Sequence, residues 1–164
     1  MSLKPLLQSL MDTGFATEIR ENESLFPWIE SIHVLAISLV VGTISIVDLR
    51  LLGLASMDRA AGHLVRSIVK VTWGAFAVAA LTGGLLFAAN ATTYAINFSF
   101  RVKLVLLALA GLNMAFFHVF SAGDLDKWGA GVAPPFRVRL AGTLSLLLWI
   151  GVISFGRWVG FTLK

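Results

Sequence analysis

Cysteine is absent from the 164 residues. Its absence excludes disulfides, iron–sulfur clusters, thiolate zinc sites and cysteine nucleophiles. Charge is also scarce, at 13% of residues, against about 25% in an ordinary soluble domain. The motifs of common hydrolytic and nucleotide chemistry are missing too. There is no HExxH, no serine with a supporting base in a recognisable motif, and Gly129 and Gly131 do not form a phosphate loop.

What is abundant is apolar side chain, at 57% of residues with a mean hydropathy of +0.85. A small water-soluble fold has too little interior to hide that much, so lipid is the expected solvent. Residues 1–26 carry Asp12, Glu18, Arg20, Glu21 and Glu23 and no apolar core long enough for export. The first long apolar run is therefore expected to be a retained span, not a cleaved signal.

Four runs are long enough to cross hydrocarbon at about 1.5 Å per residue. They cover about 28–52, 63–90, 101–121 and 138–159. Pro27 suits the first turn of span one, where its missing N–H is harmless, and Trp28 suits an interfacial anchor. Span two carries Ala75, Ala79, Gly83 and Gly84, a surface that permits close helix approach. The connection after span three contains Pro134 and Pro135 and is expected to break the helix. In span four, Gly156 and Gly160 stand four apart, a spacing that offers a homo-oligomer contact. Before the spans, Leu3, Leu6, Leu7, Leu10 and Met11 recur at helical spacing. This short helix is expected to lie in the membrane interface or to cap the bundle. Residues 16–24 read as a polar, acidic segment. The expected fold is all-α, a membrane-embedded four-helix bundle (28–164) preceded by an amphipathic and polar segment (1–27).

The net charge is +4. The basic residues flank apolar spans, so contact with lipid headgroups accounts for them better than nucleic acid does. The connections after spans one and three hold Arg50, Arg59, Arg66, Lys70, Lys127, Arg137 and Arg139. The opposite side holds Lys4, Arg20, Arg101, Lys103, Arg157 and Lys164, one fewer. The positive-inside rule therefore leans toward both termini outside the cytoplasm, in a bacterial inner membrane.

Ionisable groups at membrane depth often mark function. The three histidines are His33, His63 and His118. Histidines on separate membrane helices suit a b-type haem, with neighbouring Arg or Lys pairing the propionates. Up-and-down threading puts His63 and His118 at one membrane level, with Arg66 and Lys70 one and two turns from His63. It puts His33 at the other level. The bland alternatives are a headgroup-level His63, a His118 bonded to a backbone carbonyl or Asn113, and a His33 paired with Glu30. Copper is a second option, since Met114 and His118 share a helix face and Met57 and His63 bracket the same side. Methionine also fills apolar gaps without any metal. Asp48 and Arg50 are two apart and do not face each other, so Asp48 needs a partner on another helix, such as Arg66 or Arg139.

Ile29–Ala55, Phe100–His118 and Arg139–Phe161 resemble a family of uncharacterised bacterial four-span membrane proteins. Some of these are loosely grouped with the membrane domain of copper-resistance D proteins, which in turn looks like small membrane b-type cytochromes. The resemblance extends to His33, to the DLR run Asp48–Arg50, and to Asn113 and His118. It does not reach His63, which rests on depth alone. The expected function is a haem b-binding membrane protein passing single electrons to a redox partner, with His118, His63 and His33 as candidate ligands in that order. A copper-handling protein and a cofactor-free accessory subunit are the alternatives.

Overall fold

The computed structural model describes residues 3–56, 58, 61–121 and 131–162. Met57, Arg59, Lys127, Gly129 and Lys164 lie outside them. The described residues form seven helices and no strand: α1 (Lys4–Met11), α2 (Gly14–Glu21), α3 (Leu25–Leu52), α4 (Ala61–Ala89), α5 (Ala91–Ile96), α6 (Phe98–Ser121) and α7 (Phe136–Thr162). Four of them, α3, α4, α6 and α7, are long and apolar enough to cross a membrane. Helix is the form expected there, because lipid offers no partner to an unpaired backbone N–H or C=O.

The helix ends follow from local chemistry. Asn22 Oδ1 accepts from the backbone N–H groups of Ser24 and Leu25 at 3.0 and 3.1 Å. Pro27 then falls in the first turn of α3 and wastes no donor. At the other end Gly53 takes a left-handed φ of 77°. The Leu54 N–H folds back to Leu49 O at 3.0 Å, a glycine-terminated helix end. Asn97 caps α6 by accepting from the Phe100 N–H at 3.0 Å.

The N-terminal segment packs as a cap on one end of the bundle. Ala16 and Ile19 of α2 are fully buried against the bundle end, and Leu3, Leu6, Leu10 and Phe15 remain exposed. Arg20 fastens this cap, its Nη1 donating to Ala89 O at 3.1 Å and Met11 O at 3.3 Å. A cation at the last carbonyls of α4 is favourably placed. Residues 16–24, read as a polar segment, thus contain most of α2, a helix started by Thr13 accepting from the Ala16 N–H. The second connection contains α5, packed through Phe87, Tyr94 and Phe100.

Helices α3 and α7 form the middle of the bundle. On the outside, α4 packs against α3 and α6 packs against α7, while no described Cα of α4 comes within 8 Å of one of α6. The fourth side of the bundle is therefore a cleft, bridged at the capped end by the stacked rings of Phe87 and Phe100. The α3–α7 contact is close because Gly142 has no side chain: a Cβ there would stand 3.2 Å from the Asp48 carbonyl oxygen and 3.4 Å from Leu51 Cβ. Gly156 is used similarly within the chain, where the Lys103 stem would lie 3.5 Å from its Cβ, whereas Gly160 faces open space. Gly142→Val is expected to force α3 and α7 apart and to destabilise the protein by about 1–3 kcal/mol. Thermal unfolding in detergent should show it, with Gly160→Val close to wild type.

Candidate functional site

Polar side chains gather at two levels of the bundle. The first lies near the α2–α5 cap. His33 of α3 leans across α4 at Gly83, where a Cβ would come within 2.8 Å of the ring. Its Nδ1 meets Thr82 Oγ1 at 2.9 Å. The Thr82 hydroxyl itself donates to Val78 O at 2.7 Å. The same hydroxyl also lies 3.2 Å from Ala79 O, so one bond joins α3 to α4 at this level. Lys103 of α6 is the charge felt at His33. Glu30 acts instead on Tyr94 in the interhelical segment. Burial first, and the Glu30 carboxylate second, push that phenol above its ordinary range. His33 is therefore bonded across to α4, not to Glu30.

The second level lies toward the opposite end and opens on the cleft. A cavity of about 180 Å³ lies among α3, α4, α6 and α7. Its walls are mostly apolar, with Trp73, Phe76, Phe117 and Trp149 supplying rings. Asp48, Asn113, His118 and Ser145 supply most of its polar atoms. Trp73 is 54% exposed, and His118 is also exposed. The cavity thus opens outward between the helices that would face lipid. Asn113 Nδ2 donates to Ala141 O at 3.0 Å, tying α6 to α7 beside the cavity. Thr72 Oγ1 donates to Thr43 Oγ1 at 2.9 Å, tying α4 to α3.

Two groups on these walls have unused hydrogen-bonding capacity. His118 Nδ1 is 3.0 Å from Met114 O. A carbonyl can only accept, so the hydrogen sits on Nδ1, and in the neutral ring the Nε2 lone pair is available. Asp48 is 4% exposed. Ser145 of α7 is its side-chain hydrogen-bond neighbour, and the carboxyl's Oδ2 is buried without any partner. Sequence reasoning assigned Arg66 or Arg139 to Asp48 and overlooked Ser145. Only the Gly142 contact signals it, because that glycine brings the next turn of α7 onto α3.

The remaining candidates are dispersed. Met114 shares the cavity wall with His118, whereas His63, Arg66 and Lys70 are exposed residues of α4 and do not line it. His33 belongs to the other level. Arg50 is fully buried near the end of α3, with Nη1 3.5 Å from Val132 O. Among the described residues, no three His, Cys, Asp or Glu side chains converge as a metal-holding set.

Four long apolar helices around a mostly apolar cavity define the class: a multi-pass, all-helical membrane protein. Residues 24–162 match the model of a family of unknown function (DUF6644), and the chain belongs to that family. No curated protein and no solved structure matches it.

Thr82→Val keeps the side-chain shape and removes the hydroxyl that bonds His33. Interhelical hydrogen bonds in membranes are worth about 0.6–2 kcal/mol, and the substitution is expected to lower stability by about that amount. The His33 ring resonances should shift while those of His118 stay in place, a pattern that NMR of ring-labelled histidine reads directly.

Proposed function

We propose that the chain is a membrane-embedded binding protein that admits a small lipid-soluble molecule through the α4–α6 cleft. The observation that carries this reading is the cavity, which is apolar over most of its wall and opens on the side where the backbones of α4 and α6 stay more than 8 Å apart. Ligand sites are commonly of this kind, apolar with a few placed polar groups, and often lie between helices of bundles. The bacterial inner membrane, with both termini on the periplasmic side, is the setting the basic-residue balance favours. Native mass spectrometry of protein released from nanodiscs is expected to detect a retained small molecule. Gly111 lines the cavity and a Cβ there meets nothing within 4 Å, so Gly111→Leu should fill space and abolish the retention. A wild-type protein released without any small molecule, or a Gly111→Leu protein retaining it equally, would overturn the reading.

A second reading is b-type haem with an electron-transfer role, and the His118 tautomer favours it. A histidine that ligates iron through Nε2 characteristically donates its other ring N–H to a carbonyl or carboxylate. Met114 O has that relation to His118. Arg66 and Lys70 on α4 are at the same end and suit propionates, and bound haem would supply one-electron chemistry. The donor set fits one axial ligand, since His63 is not on the cavity wall. The cavity is also smaller than a porphyrin, so the cleft would have to widen. The same structural terms give copper only Met114 and His118. Protein purified from haem-replete cells is expected to show a Soret band that His118→Ala removes and His33→Ala keeps. A colourless preparation, or a band indifferent to His118→Ala, rejects this reading.

A further inference from the structure

The cavity is a slot drawn out along the bundle. Its walls run from Val40 to Leu51 on α3, from Val65 to Phe76 on α4 and from Leu107 to His118 on α6. Each stretch rises roughly 16 Å along its helix axis. A compact apolar cavity of roughly 150 Å³ holds one benzene ring. The similar volume here, about 180 Å³, is spread over a much greater length, which suits one unbranched apolar chain. The slot is also open along one side. Trp73 of α4 and Gly111 and His118 of α6 line it and are exposed, and the α4 and α6 backbones stay more than 8 Å apart. A chain can therefore enter sideways from lipid. Beyond the mouth lies a cationic stripe. Lys70 and Arg66 stand three and seven residues before Trp73 on α4, and all three are exposed. That spacing puts them on one helix face, running from the mouth toward the end of the bundle opposite the α1–α2 cap. Their long stems can reach to headgroup level. Among the described residues this end carries Arg50, Arg66, Lys70, Arg137 and Arg139 against Asp48 and Asp58. The surplus of positive charge complements an anionic head.

We infer that the occupant is a long-chain fatty acid, with its apolar tail in the slot and its carboxylate at the mouth beside Lys70 and Arg66. This names the ligand class for the binding reading above and rests on it. The length of the slot accounts for an unbranched tail, the open side for entry from the bilayer, and the stripe for a charged head. One chain fills the slot, so the second chain of a phospholipid has no place in it.

The test uses the full chain in nanodiscs of a zwitterionic lipid, at mildly alkaline pH so that the acid is ionised. The probes are dibromostearic acid, its methyl ester and a phosphatidic acid carrying the same brominated chains, each expressed as a mole fraction of the disc. Bromine quenches tryptophan on contact, and Trp149 stands half-buried on the slot wall. The acid is expected to quench saturably, and Trp149→Phe to remove that quenching. Quenching that persists in Trp149→Phe puts the tail outside the slot and overturns the inference. The acid should bind about tenfold more tightly than the ester, since each Lys or Arg near a membrane surface is worth about fivefold toward a negative charge. Lys70→Gln changes an exposed residue, and should weaken the acid about fivefold while leaving the ester unchanged. Equal binding of acid and ester, or a preference that survives Lys70→Gln combined with Arg66→Gln, overturns the anionic head. Phosphatidic acid binding as tightly as the fatty acid overturns the single chain and gives the slot to a bilayer phospholipid. Gly111→Leu separates these failures from failure of the cavity itself. It should abolish saturable quenching by acid and ester alike. Quenching that it leaves intact, or a wild type without saturable quenching, overturns the binding reading together with this inference.

Discussion

The contact between α3 and α7 at Gly142 is the constraint on which the rest of the arrangement depends. Any side chain at Gly142 would meet the Asp48 carbonyl, so the bare backbone sets the helix separation. Setting that separation brings Ser145 to Asp48 and packs Leu51 and Val138 into one buried cluster with Val65. With α3 and α7 held together in the middle, α4 and α6 are carried on the two flanks. Each has its inner partner, and among the described residues the two flanks touch through the Phe87–Phe100 ring stack at the capped end without any close backbone approach. The cleft is therefore a consequence of the order in which the helices pack, and α5 with the α1–α2 cap bounds it at one end.

Within lipid, hydrogen bonds decide which of the remaining polar groups are structural. The His33–Thr82 and Asn113–Ala141 bonds each join two helices and leave the donor satisfied. Arg20 closes the end of α4. Arg50, although fully buried, bonds toward the backbone of the segment that enters α7, which also contains the buried Pro134. These residues hold the bundle in one arrangement. Asp48 differs from them in that its buried Oδ2 has no hydrogen-bond partner.

How much of this was readable in the sequence follows from the kind of signal each feature carries. Span existence and depth depend on length and hydropathy, and the four runs match the observed α3, α4, α6 and α7, the second overrunning α4 by one residue. The pairing of His63 with His118 used the same depth information, and both do lie at one end of the bundle. Depth, however, says nothing about rotation. A helix apolar all round has no polar stripe to show which face points inward, so nothing in the run that contains His63 reveals that it turns away from the cavity. The short helices α2 and α5 were missed for a different reason. They carry no span-length signal and are stabilised by their docking, through Ala16 and Ile19 for α2 and through aromatic contacts for α5. Asp48 and His118 were both singled out as polar groups at depth. That they share a cavity depends on helix order, which an up-and-down threading leaves open.

A buried carboxyl with one unpartnered oxygen is hard to account for as part of a scaffold. Leaving such a group unsatisfied costs about 1–3 kcal/mol in proteins, and more in a medium without water. An apolar residue of similar volume at position 48 would avoid that cost and pack against Val47 and Leu51. The close contact at Gly142 involves the Asp48 backbone carbonyl, which any residue would supply, so the α3–α7 seam does not require an acid. Ser145 engages the carboxyl but does not saturate it. The same reasoning does not apply to Arg50, two residues on, whose guanidinium is engaged near the chain reversal.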